Sequence, residues 1–143
     1  MSMKQSYSYV VLRYVHDVLT SEFVNVGVML VAPAEGKLYA KTRKTIGRIK
    51  HVFPDLDRDA FVDAMRAFDR GMRLVRKQVA SAGLFSNEGN VASYARQVLP
   101  SDDSSLQWSP VGSGLSDNLD KTFERLFERF VSRYDTSFQK RKS

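Results

Sequence analysis

Period-two alternation over residues 22–32 is the strongest constraint in this chain. Val24, Val26, Val28 and Leu30 fall on one face of an extended segment, and Phe23, Asn25, Gly27 and Met29 fall on the other. Residues 7–15, rich in Tyr, Val and Leu, have the β-branched and aromatic composition of a neighbouring strand. Pro33-Ala34-Glu35-Gly36 reads as a turn, because Pro presets φ and Gly admits positive φ. Residues 37–44 then return as a third strand. Connections this short make the three an antiparallel meander with 22–32 in the middle.

Past residue 45 the period becomes helical. Ile46, Ile49, Val52 and Phe53 describe a short helix stopped by Pro54. Asp57 is placed to cap a long helix, with Asp55 and Asp59 beside the positive end of its dipole. Its apolar stripe is Phe61, Met65 (or Ala64), Phe68, Met72, Val75 and Val79, and Gly83 closes it. Residues 86–90 read as a loop and 91–99 as a shorter helix ended by Pro100. Within the Ser-, Asp- and Gly-rich 101–116 stretch, Leu106-Gln107-Trp108 is a candidate fourth strand. A last helix starting near Ser116 or Asp117 would bury Leu119, Phe123, Leu126, Phe127, Phe130 and Tyr134. Strands followed by helices predict an α+β fold: an N-terminal antiparallel meander of three to four strands with helices packed on one face. One domain is expected over 1–136, with a basic, frayed end at 137–143.

The same residues exclude several classes. No stretch approaches the ~20 apolar residues of a membrane span, and the first residues are polar, so a cytoplasmic protein without membrane contact is expected. The chain has no cysteine, hence no disulfide, thiolate metal site or Cys nucleophile. Asp55, Asp57 and Asp59 imitate an EF-hand opening, but Ala60 and Arg66 stand where Gly and a bidentate Glu are required. Asp17 with Glu35-Gly36-Lys37 has the outline of a metal-nuclease D…ExK arrangement, although its Glu falls in a turn rather than on a strand. His16 and His51 lack paired ligand spacing, and Gly112-Ser113-Gly114 is not a phosphate loop. No catalytic residue, metal ligand or cofactor is assigned.

Two groups of residues remain. Arg13, Asp17, Glu22, Asn25 and Gly27 concentrate complementary polar groups on the first hairpin. If Arg13 pairs with Asn25, its guanidinium can reach Asn25, Asp17 or Glu22, with Gly27 leaving room for close approach. The preferred reading is that these groups satisfy one another and set the hairpin register, ahead of a ligand site. The second group follows the charge. Of the net +6, the first 53 residues hold eight Lys/Arg against three acids. Lys37, Tyr39, Lys41 and Arg43 share one face of the third strand, with Lys44, Arg48 and Lys50 beyond, and form a candidate binding surface. Cationic rows also mark the long helix (Arg66, Arg70, Arg73, Lys77) and the last one (Lys121, Arg125, Arg129, Arg133). Interspersed acids neutralise much of both rows.

The pattern Tyr7, Arg13-Tyr14, Asp17, Glu22-Phe23, Asn25-Val26-Gly27-Val28 and Leu30 resembles the opening of the bacterial domain-of-unknown-function family 3037. Leu119, Leu126-Phe127 and Val131 are similar to its end. The family often has Pro before the Asp, where this chain has His16. The resemblance implies a bacterial origin and no particular reaction. Because members are encoded beside HipA-like kinases in some genomes, it also implies a protein partner. The expected function is therefore a non-catalytic accessory module acting through a protein partner. Weak, non-specific nucleic-acid binding through residues 37–50 is the alternative, and a metal-dependent nuclease the third reading.

Overall fold

A computed structural model describes residues 4–17, 19–43, 47–82, 91–98, 105–133 and 135, without the side chains of 48 and 78–82. Strands β1 (Gln5–Asp17), β2 (Glu22–Ala32) and β3 (Lys37–Thr42) form the expected antiparallel meander, with a 3-10 turn at Pro33–Glu35 between the last two. Helices α1 (Gly47–Val52), α2 (Arg58–Ala82) and α3 (Val91–Val98) follow. Strands β4 (Leu106–Trp108) and β5 (Gly112–Ser116) then lead to α4 (Leu119–Phe127), which widens into a π-helical turn over Glu128–Ser132. The class is α+β.

The sheet runs β3-β2-β1, and β4 and β5 lie in line along the free edge of β1. Leu12–Tyr14 pair with β4, and Gln5–Tyr9 pair with β5. Between them Val11 N–H donates to Ser109 Oγ and Ser109 N–H to Val11 O, both at 2.8 Å. Pro110, which has no N–H, follows where the ladder breaks. The fourth strand was expected at 106–108; β5 was not, because Gly-Ser-Gly reads as loop. It forms because Tyr7 and Tyr9 stand opposite Gly114 and Gly112 and fold their rings over them. A Cβ on Gly114 would come within 2.6 Å of the Tyr7 hydroxyl, so a side chain at either glycine would push the facing ring aside. An aromatic covering a cross-strand glycine replaces the missing side-chain contact.

The strict alternation inferred for β2 breaks at one point. Leu12 pairs with Gly27 but Arg13 pairs with Asn25, so Val26 is an extra residue, a β-bulge. The bulge changes the phase of the strand. Val24, Val26, Met29 and Val31 join one buried cluster, while Val28, Leu30 and Ala32 join another. Gly27 sits at the bend with little space: a Cβ there would lie 3.0 Å from both Lys41 O and Thr42 Cγ2.

The helices, expected on one face, therefore cover both. On the first face pack Ile49 of α1, Phe61, Met65, Phe68, Met72 and Val75 of α2, and Val91, Ala95 and Val98 of α3. On the second lie Leu119, Phe123, Phe127 and Val131 of α4 and its π turn. The Asp57 cap stands where the sequence places it, whereas the last helix, expected to start near Ser116 or Asp117, is capped by Asn118. Asp57 Oδ1 accepts from Ala60 N–H at 3.1 Å to start α2, and Asn118 Oδ1 accepts from Lys121 N–H at 3.1 Å to start α4. Lys44, the side chain of Arg48, the 86–90 loop and the 137–143 end lie outside the described residues.

Candidate binding surface

The polar hairpin divides into two parts. At the turn, Asp17 Oδ1 accepts from Leu19 N–H at 2.9 Å and from Thr20 N–H at 3.4 Å, and Thr20 Oγ1 donates to Glu22 Oε1 at 3.1 Å. These two carboxylates are used to hold the turn, a local role open to any Asp two residues before a bend. Arg13 does pair in register with Asn25, but no hydrogen bond joins it to Asn25, Asp17 or Glu22 among the described residues. Its guanidinium lies 4.3 Å from the centroid of the Phe23 ring instead. Arg13 Nε and Asn25 Oδ1 are both buried without a hydrogen-bond partner.

His16, where the family pattern often has Pro, is the extra residue of a second irregularity, between the pairs Val15–Phe23 and Asp17–Glu22. Its ring stacks on Phe53 at 4.2 Å, and its Nε2–H donates to Asp55 Oδ1 at 2.9 Å. It thereby ties the hairpin to the approach of α2. Nothing in the spacing of His16 and Asp55 reveals this contact, which depends on the bulge. Nearby, burial and then the charges of Asp57 and Asp55 push the Tyr14 phenol above its ordinary pKa.

Asp55 and Asp57 are thus engaged with His16 and with the α2 cap. Asp17 and Glu35 lie beyond opposite ends of β2, whose eleven residues span about 36 Å at ~3.3 Å each, so they cannot share a metal ion. Among the described residues no three His, Asp or Glu side chains are grouped to hold a metal. Nor is any helix among them long and apolar enough to cross a membrane.

The third strand is the sheet's edge, but its basic face is not bare. Tyr39 stacks on Phe123 with ring centroids 5.3 Å apart, and its hydroxyl donates to Asp120 Oδ1 at 2.6 Å. Burial and this hydrogen bond push the phenol up to about 12. Lys41 Nζ lies 4.6 Å from the centroid of Phe127. Arg43 is no surface residue: its side chain is 2% exposed, and Nη2 donates to Val131 O at 2.8 Å and to Asp135 Oδ1 at 3.0 Å. Lys50 Nζ donates to Leu56 O at 3.1 Å. Lys37 and Lys41 are exposed. The expectation of a water-facing row from Lys37 to Arg43 therefore gives way to a face on which α4 packs.

What stays open is the outer rim of β3. Arg43 N–H donates inward to Val26 O at 2.8 Å, so by strand alternation Tyr39 and Lys41 also turn their backbone groups toward β2. Leu38, Ala40 and Thr42 turn theirs outward, and the Ala40 carbonyl accepts there from Arg76 Nη2 at 3.1 Å. Among the described residues no strand pairs with this side. Two grooves flank the rim. Toward α2 lies one of about 580 Å³ that includes Arg58, Arg66 and Arg76, and it adjoins a smaller one that adds Arg73; Asp69 is the single acid in either lining. Toward α4 lies a groove of about 360 Å³, with Phe123 and Phe127, the acids Glu124 and Glu128, and the cations Lys41 and Arg133.

Neither the curated proteins nor the solved structures offer a match to this chain. A family model described as "Protein of unknown function (DUF3037)" matches residues 9–131, which include both helical layers and all of the sheet but the first four residues of β1, and the chain belongs to that family.

Proposed function

We propose that this protein is a non-catalytic accessory module that binds a protein partner along the outer edge of β3. The observation that carries this reading is the row of outward donors and acceptors at Leu38, Ala40 and Thr42, paired with no strand among the described residues and touched by Arg76 at the Ala40 carbonyl, beside grooves on both sides. An added strand uses both kinds of group, whereas a phosphate backbone uses donors only. The opposite edge is less suited. It is made of the three residues of β4 and the five of β5, divided at Ser109-Pro110-Val111. Short strands and proline are common ways of blunting an edge.

Ala40→Pro tests the reading. It removes an outward N–H and no ladder bond, which an edge strand tolerates. Tagged protein purified from its native host should bring down a partner with the wild type and lose it with Ala40→Pro, at an unchanged thermal midpoint. A HipA-like kinase, the neighbour implied by the family resemblance, is the first protein to look for. Because proline could also disturb the strand, Arg66→Glu with Arg73→Glu on exposed turns of α2 provides a second variant. A partner retained by both folded variants would place the binding surface elsewhere. Recovery of nucleic acid in a salt-sensitive complex, with no protein, would favour the cations of α2 acting on phosphates.

A further inference from the structure

We infer that the partner segment is an extended strand carrying acidic side chains at every second position, with apolar side chains between them. This rests on the reading of the β3 edge as the docking surface, and it follows from the unequal grooves beside that edge. A strand added to β3 sends successive side chains alternately to the α2 side and the α4 side. On the α2 side they meet Arg58, Arg66, Arg73 and Arg76, opposed by Asp69 alone. Carboxylates suit these guanidinium groups, since arginine takes a carboxylate through two parallel hydrogen bonds. On the α4 side the alternate residues meet the Phe123 and Phe127 rings between Glu124 and Glu128. The charges of that groove balance, Glu124 and Glu128 against Lys41 and Arg133, so an acid gains no net attraction there and the α2 groove sets the phase: acidic toward α2, apolar toward α4.

Arg76 links the two requirements. In the free protein it occupies the Ala40 carbonyl from outside, 3.1 Å away, and so covers the rim. A docking strand supplies a backbone N–H to that carbonyl in its place. The displaced guanidinium then stands beside the strand, where an acidic side chain of the partner can take it. An acidic strand therefore offsets the lost contact, and a neutral or basic strand does not.

The probes are synthetic peptides of about six residues, matched to the length of β3. One alternates Glu with Val, one alternates Lys with Val, and two Glu-Val peptides carry N-methyl groups on either the Glu or the Val amides. A single-stranded thymidine oligonucleotide serves as the anionic control. The Glu-Val peptide should bind, at least about tenfold tighter than Lys-Val, and should weaken about tenfold with Arg66→Glu/Arg73→Glu. N-methylation of one set of amides should abolish binding while the other set is tolerated, because only alternate N–H groups face β3. Equal binding of Glu-Val and Lys-Val, indifference to both methylation patterns, or tight oligonucleotide binding without peptide binding would overturn the inference. The two proposals fail separately. A native partner lost from Ala40→Pro but docking through a non-acidic segment would leave the edge standing and remove the acidic pattern. A partner retained by Ala40→Pro would remove the edge itself.

Discussion

Arg43 shows how far one residue's environment can depart from its place in a charge pattern. Read along the strand it completes a basic row, yet it is buried against the end of the α4 layer with a carbonyl and a carboxylate as partners. Arg43→Met should cost about 3 kcal/mol in denaturant unfolding, because it strands the largely buried Asp135 carboxylate. Removing Asp135 as well, as Arg43→Met/Asp135→Leu, should recover part of that loss; simple additivity would show that the pair is not coupled. Tyr39 carries a pH signature. Its phenol is raised to about 12 in the folded chain, above the ordinary tyrosine value of 10.0, so the neutral form is the one favoured by folding. The unfolded chain then releases this proton first as pH rises, and the stabilisation, complete below pH 10, is lost between about 10 and 12. Tyr39→Phe should flatten that part of the stability profile. An identical alkaline slope in both proteins would assign it to other groups.

Among the elements, those with a local cause were legible in the sequence. The β1–β2–β3 meander, the Asp57 cap and the α2 stripe from Phe61 to Val75 stand where periodicity and capping place them. β5 was missed because its determinants are two tyrosines more than a hundred residues earlier in the chain. The second helical layer was missed for a different reason. Strict alternation gives β2 one apolar face, whereas the extra residue at Val26 divides its side chains between two cores. Of the candidate site, the pairing of Arg13 with Asn25 and the edge position of β3 could be read; the inward turn of Arg43 and the His16–Asp55 contact depend on bulges and on helices far along the chain. Gly27→Ala tests the bulge directly. Its Cβ would press on the Lys41 carbonyl, a backbone atom that cannot swing aside, so a loss of about 1–3 kcal/mol is expected from overpacking. A neutral substitution would mean that the bend has room to relax.

At the scale of the whole molecule, helices on both faces leave the sheet only its two edges from which to offer backbone groups. One edge is short and interrupted by Pro110; the other is six residues long, flanked on one side by arginines with a single acid and on the other by phenylalanines whose neighbouring acids and cations balance. That asymmetry is the basis for assigning a binding role to β3. Residue-resolved amide hydrogen exchange tests it most directly, with the protein free and then saturated with the Glu-Val peptide or the native partner. In the free protein the amides of Leu38, Ala40 and Thr42 should exchange quickly while those of Tyr39, Lys41 and Arg43 are protected, and on binding the first three should slow by about tenfold or more. Outer amides already protected in the free chain, or unchanged in the saturated complex, would contradict the account.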